Sequence, residues 1–522
     1  MEKLCPFCNT KIETSLVRHI KAEHGEETLR KAVLADKRKG TPDSQIGGKY
    51  GISFSYLERV ITQEYGTNIS AVNRKKAKIT QWEPKAFQPE TTTIWSFKNR
   101  GKWATHDGRY RGNWSPYIPR NLILRYSQPH EVVLDYFSGG GTTAVEAKLL
   151  VRRCIARDIN PDALALTKEN LDFQIPQNMF SGNGKSSIQP ELVLGDARNL
   201  SSLESDSIDL ICAHPPYAGI INYSANAVDG DLSTLSVPVF ITEMQTVACE
   251  SYRVLGSGRQ CAILIGDSRK SKHIIPIGFQ TIRAFLNAGF ILRELIIKRQ
   301  HNCKTTGFWY SNSIRYNFLL LAHEFLPVFE KPAEAKAVAE SKQLSWLTDS
   351  ETTQTIEEAI EQVEKEQLET TSVWIFPAYK MQAEIRRNLL GRFAKGGEKI
   401  LEIELGEVAP HLNPNHYSLA YIHCPSDSSL ASQTYLDLLD KAVAEAKRHL
   451  AQDGFCAIET RDFRKEGDLV PMGLLAFERL EESGLEIREI VIVTSEENQP
   501  FEPPLEGHLG IAHKYLLIYR KP

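Results

Sequence analysis

His214-Pro215-Pro216-Tyr217 closes an apolar run and sets a hydrogen-bond acceptor, a stiff turn and a flat ring side by side. Consecutive prolines fix φ and carry no N–H, so the acceptors around them keep their aim. Upstream, Ser138-Gly139-Gly140-Gly141-Thr142 follows a second apolar run, EVVLDYF. Nicotinamide, flavin and sulfonium nucleotides can all be held where a strand feeds a helix across such a turn. Asp158 and Asp196 each end a further apolar run. Asp158 stands where one carboxylate can accept both hydroxyls of a ribose, and Asp196 is placed to reach an adenine amino group. At the N-terminus, Cys5 and Cys8 are followed after ten residues by His19 and after four more by His24. That is zinc-ligand spacing: two thiolates on a tight turn, two imidazoles projecting from one helix, with Leu16 packed beneath.

These groups need a frame to hold them. From Glu131 the sequence reads strand, glycine turn, helix, strand, helix, strand, strand, the alternation of a doubly wound parallel sheet. EVVLDYF is the first strand, GTTAVEAKLLV the first helix and RCIARDI the second strand; a helix then starts at Asn160-Pro161-Asp162, and ELVLGDA and SIDLICA supply the third and fourth strands. Each candidate residue falls at the carboxyl end of a strand, where open α/β sheets bind ligands.

Asp135-Tyr136-Phe137-Ser138-Gly139-Gly140-Gly141-Thr142 resembles the D-x-F-x-G-x-G-T turn of amino-methyltransferases, and His214-Pro215-Pro216-Tyr217 resembles the [D/N/S]-P-P-[Y/F/W] element of enzymes that methylate N6 of adenine or N4 of cytosine in DNA. The resemblance spans about residues 90–331 and implies a Rossmann-like class I methyltransferase. Asp135, Phe137, Gly139, Gly141, Thr142, Asp158 and Asp196 would then bind S-adenosylmethionine, and His214, Pro215, Pro216 and Tyr217 would be catalytic. An exocyclic amine is a poor nucleophile because its lone pair is delocalised into the ring, so such a site accepts hydrogen bonds from its N–H groups. Tyr217 would stack on a base flipped out of the duplex. His214 departs from the family, which has Asp, Asn or Ser there; a neutral imidazole can accept a hydrogen bond and a protonated one cannot. Residues 91–126, before the glycine turn, look like the segment covering the methionine end of the cofactor, which gives a gamma-like order of motifs. The loop 300–313, with Lys304, Phe308, Trp309 and Tyr310, is a candidate strand or base contact, or an ordinary hairpin loop.

The N-terminal spacing resembles a C2H2 finger with a short gap. Residues 41–65 read as a helix-turn-helix in which Ser53 caps the second helix and Ser55, Tyr56 and Arg59 could face a groove. Residues 1–80 carry 15 Lys and Arg against 9 Asp and Glu, and residues 91–130 carry 7 against 1, although the chain as a whole is at −3. Attraction to phosphates is therefore expected at the N-terminal end.

The C-terminal part is a worn copy of what precedes it. Cys261-Ala262-Ile263, Asp267, Arg269-Lys270, Gly278 and Arg293-Glu294 recur 195 residues later as Cys456-Ala457-Ile458, Asp462, Arg464-Lys465, Gly473 and Arg488-Glu489. ETTTIWSF at 90–97 is echoed by ETTSVWIF at 369–376, and the strand ending at His214 by one ending at His423. The copy's counterpart of the glycine turn, ILEIELGEV, lacks G-x-G, and the strands carrying the two nucleotide-binding aspartates are missing.

The expected organisation is a C2H2-like finger (1–30), a helix-turn-helix (31–80), an S-adenosylmethionine-dependent methyltransferase domain (88–331), a linker (332–368) and a degenerate methyltransferase-like α/β domain (369–522). Composition is globular, 42% hydrophobic and 24% charged, no apolar run approaches the ~18 residues of a membrane span, and the N-terminus lacks a secretory signal. A cytoplasmic protein acting on double-stranded DNA is expected, with no membrane partner. Cytosine N4 is placed ahead of adenine N6, and a restriction nuclease partner is left open. The competing readings are a guanine-N2 tRNA methyltransferase and a non-catalytic DNA-binding regulator that keeps a cofactor pocket.

Overall fold

The computed structural model describes residues 3–12, 15–39, 41, 43–52, 56–57, 60, 79–106, 110, 112–176, 188–218, 230–301, 307–333, 368–394, 400–405, 416–423, 432–501 and 504–522. The chain forms two compact units, one of residues 1–87, 99–256 and 305–308, the other of 88–98, 257–304 and 309–522. One division, between 87 and 88, coincides with the sequence boundary at 88, whereas none falls at 331.

The first unit begins with a two-stranded ribbon, Lys3–Leu4 against Lys11–Ile12, and three helices, Leu16–Glu23, Glu26–Arg38 and Asp43–Tyr50. Glu26–Arg38 runs through the boundary expected at residue 30. Cys5, Leu16, Ile20, Leu29, Val33, Ile46, Tyr50 and Leu57 share one core, so the cysteine turn and the helices after it fold as one body. Asp36 ties two of these helices together, accepting from Lys49 Nζ at 2.6 Å and from Tyr50 OH at 2.8 Å. Tyr56, expected to face a groove, is 6% exposed and belongs to this core; its ring is worth more buried than presented to solvent. Ser53, Ser55, Arg59 and the basic run 73–78 lie outside the described residues.

The rest of the first unit follows the expected alternation. Its strands Ile208–Ala213, Val132–Asp135, Arg153–Asp158 and Glu191–Leu194 lie in that order and are all parallel. Val132–Asp135 is buried throughout, as a strand covered on both faces must be. The helix Thr142–Leu149 follows the glycines, and Pro161–Asn170 starts where Asn160 Oδ1 caps the Asp162 N–H at 3.0 Å.

The second unit holds the second copy of the repeat and the parts of the first copy in 88–98, in 257–304 and from 309 onward. Strands Ile94–Ser96, Ile291–Arg299, His323–Glu330 and Leu255–Ile263 are ordered as are Val373–Phe376, Glu486–Ser495, Lys514–Arg520 and Leu450–Thr460, and the second set continues with Tyr417–His423 and Ile400–Glu404. Ile291–Arg299 and His323–Glu330 form the expected closing antiparallel pair. The described part of the connection between them includes a helix, Gly307–Tyr316, where a plain loop was one expectation; Lys304 and the acidic stretch 349–368, apart from Leu368, lie outside the described residues.

A buried relay differs between the two copies. In the second, His513 and Asp462 both meet the Tyr515 hydroxyl, His513 Nε2 at 2.8 Å and Asp462 Oδ2 at 3.0 Å. In the first, Phe325 takes the place of the tyrosine, and His323 Nε2 and Asp267 Oδ2 are buried without a hydrogen-bond partner. Phe325→Tyr restores the missing hydroxyl and is expected to stabilise the protein by about 1 kcal/mol in denaturant unfolding. Unchanged or lower stability would show that the pair is already satisfied or that the ring has no room for the oxygen.

Candidate active site

The carboxyl ends of the parallel strands open into a cleft of about 750 Å³, its mouth included, lined by Phe137, Gly139, Asp158, Asp196, His214 and Pro216 among others. The glycine turn and the His-Pro-Pro-Tyr turn, separated by some 75 residues of sequence, therefore share one wall with Asp158 and Asp196. Of the remaining sequence candidates, Asp135 lies beneath the glycine turn, 2% exposed, and accepts the Phe137 N–H at 3.0 Å. Gly141 and Thr142 start the helix behind the turn. Pro215 is buried, and Tyr217 stands edge-on to His214 with ring centroids 5.7 Å apart.

The glycines are required at two positions. Gly139 has φ +51°, and a Cβ there would come within 2.9 Å of the Tyr110 ring; Gly141 has φ +79°, and a Cβ would strike Thr167 at 2.6 Å. Asp158 is oriented by two main-chain donors: its Oδ2 accepts the Gly139 N–H at 2.8 Å and its Oδ1 the Asn160 N–H at 2.9 Å. Burial pushes its carboxyl up to about 6, and burial likewise pushes Asp135 to about 7, the charge of Asp158 adding to it.

Both carboxyls titrate above their ordinary range, so between pH 4 and 7 the folded protein binds more protons than the unfolded chain. Their contribution to stability is present in full below about pH 4 and is lost as pH rises through 7. In the ribose-binding role that the resemblance implies for Asp158, ligand capture would run the other way, because an ionised carboxylate is the better acceptor for hydroxyl donors. Affinity for S-adenosylmethionine is expected to weaken as pH falls through about 6, and Asp158→Asn to weaken it at every pH and flatten that limb. Calorimetric titration between pH 5 and 8 measures both; an unchanged affinity in the variant would remove Asp158 from the nucleotide site.

Asp196 is more committed than the sequence suggested. Burial opposes its charge, yet Arg198 overrides this and holds the carboxyl below its usual range. Arg198 Nε reaches both Asp196 oxygens at 3.0 Å, and its Nη1 donates to Glu243 at 2.6 Å. Asp196 thus enters the cleft as half of an ion pair.

The cover segment supplies groups that sequence reasoning missed. Tyr110, Gly112, Asn113 and Trp114 line the cleft. Asn113 Oδ1 accepts the Gly140 N–H at 3.1 Å, and Trp114 stacks on His214 at 5.8 Å with an interplanar angle of 21°. The segment is anchored by Glu146, 0% exposed, on the helix after the glycines. Glu146 Oε1 accepts Trp103 Nε1 at 2.6 Å and lies 2.7 Å from His106 Nε2, and Oε2 accepts Arg120 Nη1 at 3.0 Å. The sole acid of the helix Thr142–Leu149 was the available signal. Asp231, which caps its own turn by accepting the Ser233 N–H at 2.9 Å, is a further acid in the wall.

Cys5, Cys8, His19 and His24 converge as the spacing required, their ligand atoms all within 4.8 Å of one another. Cys8 Sγ lies 3.3 Å from His19 Nε2 and Cys5 Sγ 3.6 Å from His24 Nε2, separations that a tetrahedral ion can span.

The parallel strands with the glycine turn at their carboxyl edge are those of the class I methyltransferase fold, and matches to two methyltransferase family models support an S-adenosylmethionine-dependent methyltransferase. Within that class, residues 35–169 match the DNA methylase family model for N6 and N4 methylation, and residues 130–251 match that of the RNA cap guanine-N2 methyltransferases. No curated protein matches the chain. Among solved structures it is similar to TrmN of Thermus thermophilus, at 21% identity over 42% of this chain and 50% of that one, TM-score 0.28. This chain therefore spans about half the length of that protein. It is also similar to an S-adenosylmethionine-dependent methyltransferase of Methanosarcina mazei, at 16% identity over 41% of this chain and 97% of that one, TM-score 0.28. No helix among the described residues is long and apolar enough to cross a membrane.

Proposed function

We propose that the chain transfers a methyl group from S-adenosylmethionine to the exocyclic amino group of a DNA base extruded from the double helix, cytosine N4 ahead of adenine N6. The observation that carries this is the shared wall: His214 and Pro216 border the same cleft as Gly139 and Asp158. The residues fit the cofactor, since Asp158 is held with both oxygens ordered and Gly139 leaves the turn bare. When bound, S-adenosylmethionine supplies an electrophilic sulfonium methyl. The rest falls to the protein. The His214 imidazole accepts one N–H of the target amine and a main-chain carbonyl of the turn the other, which localises the nitrogen lone pair. Trp114 fixes the imidazole plane, Tyr217 stacks on the base, and the prolines hold both acceptors in place.

DNA as the substrate is supported by the match that runs from residue 35 through the glycine turn and by the excess of Lys and Arg in residues 1–130. A zinc ion at Cys5, Cys8, His19 and His24 completes the N-terminal body that would meet the duplex. One zinc per chain is expected by metal analysis. Because Cys5 is also part of the core, chelation or Cys8→Ser is expected to unfold residues 1–60 and weaken DNA binding, leaving the affinity for S-adenosylmethionine within about twofold. Metal-free protein with unchanged DNA affinity would refute the zinc assignment.

The second reading, guanine N2 of an RNA, rests on the match over residues 130–251, which contains the whole His-Pro-Pro-Tyr strand. Incubation with isotope-labelled S-adenosylmethionine and DNA or RNA, followed by digestion to nucleosides and mass analysis, separates the two. Label in N4-methylcytosine or N6-methyladenine supports the proposal; label in N2-methylguanosine alone overturns it, and label in neither substrate leaves the regulator.

A further inference from the structure

Within the second unit the two copies of the repeat meet through contacts that come in exchanged pairs. Arg269 of the first copy is bound to Glu489 of the second; their equivalents 195 residues away, Arg464 of the second and Glu294 of the first, are bound to each other. Both glutamates are 0% exposed. Each also accepts a main-chain N–H from the opposite copy, Glu489 from Leu319 at 3.1 Å and Glu294 from Leu509 at 3.2 Å. The edges exchange in the same way. Ser372 Oγ lies 2.8 Å from His323 Nδ1, and Thr93 Oγ1 lies 2.8 Å from His513 Nδ1. Leu320 bridges to Thr371, and Thr92 to Gly510. If residue i of one body meets residue j of the other, and j of the first meets i of the second, the two are related by a twofold axis, the pattern of a symmetric dimer interface.

One contact lies on that axis. Arg283 pairs with Glu478, which is its own equivalent 195 residues on. In a pairing of two first copies this position would set guanidinium against guanidinium; in the pairing observed it is a salt bridge. The face is therefore specified for the chain's own second copy over the first copy of another molecule, by like-charge exclusion.

Among the described residues, the second copy also fills its carboxyl edge with an ionic cluster. At its carboxyl edge the buried Glu459 binds Tyr421 and accepts Lys514 Nζ at 2.8 Å; the matching positions of the first copy are Leu264 and, on the strand of His214, Cys212.

We infer that residues 369–522 are a covalently tethered second subunit: they occupy in cis the twofold face of the first copy, so that the chain is a pseudo-dimer with one active site. The inference does not depend on which nucleic acid is methylated. It is tested by placing a site-specific protease sequence between residues 340 and 360 of the full chain, cleaving the folded protein and following the fragments by analytical ultracentrifugation, a readout independent of methyl transfer. The fragments are expected to sediment as one 1:1 species. Glu478→Arg, which puts two arginines on the axis, is expected to weaken their association about tenfold or more, and Arg283→Glu combined with Glu478→Arg to restore it to within about threefold. Fragments that separate at micromolar concentration without either substitution overturn the inference, and so does a double variant as weak as the single one.

Discussion

Replacing His214 with alanine is expected to slow methyl transfer about 10²–10³-fold, the usual cost of deleting one pre-aimed hydrogen-bonding group from an active site. The imidazole lines the cleft beside the glycine turn and is stacked on Trp114, so its loss removes an acceptor without disturbing the strand that ends in Ala213. Single-turnover rates at saturating S-adenosylmethionine read this step directly. The wild-type rate should fall in acid, because a protonated imidazole has no lone pair to offer. His214→Asn keeps an acceptor that does not protonate, and is expected to retain most of the neutral-pH rate while losing the acid decline. An alanine variant as fast as wild type, or an asparagine variant with the same acid limb, would move the acceptor role to another group.

Glu146→Ala is expected to cost about 3–5 kcal/mol of stability, the range for breaking a buried ion pair by removing one partner. Arg120, with its side chain 7% exposed, loses its buried acid, and Trp103 Nε1 and His106 lose their shared acceptor. Since Trp103 and His106 begin the stretch that continues to Tyr110, Asn113 and Trp114, affinity for S-adenosylmethionine is expected to fall along with the melting temperature. Thermal unfolding with and without the cofactor checks both effects. Glu146→Gln, which keeps one acceptor, should lie between alanine and wild type. A melting temperature within a degree of wild type in the alanine variant would mean that the cover segment is held by other contacts.

Residues whose roles depend on neighbours a few positions away were legible in the sequence. The strands around Asp135, Asp158 and Ala213 follow from apolar runs ended by turn residues, and the cap at Asn160 from Asn-Pro-Asp. The convergence of Cys5, Cys8, His19 and His24 follows from spacing on one turn and one helix. Tyr56 was misplaced because a short amphipathic helix does not say which of its faces is covered; the core that takes up Tyr56 also contains Cys5 and Leu16, some forty to fifty residues earlier. Asp196 lines the cleft, and its partner was not legible, because the reach of Arg198 is set by where Glu243 and Gly230 fall around it.

The sequence by itself determined the alternating strands and helices, the glycine turn, the His-Pro-Pro-Tyr corner, the metal-type quartet and the existence of a second, eroded copy. All of these are written in local spacing, periodicity or self-similarity, which chain connectivity preserves. Only the tertiary structure decided that Trp114 backs His214, that Glu146 pins the cover segment, and that Arg269 and Arg464 each cross to the other copy's glutamate. Those pairings are set by the packing of whole sheets and helices. A charge with many possible partners along the chain finds its actual one only when burial brings the two together and makes any other arrangement cost an unpaired ion.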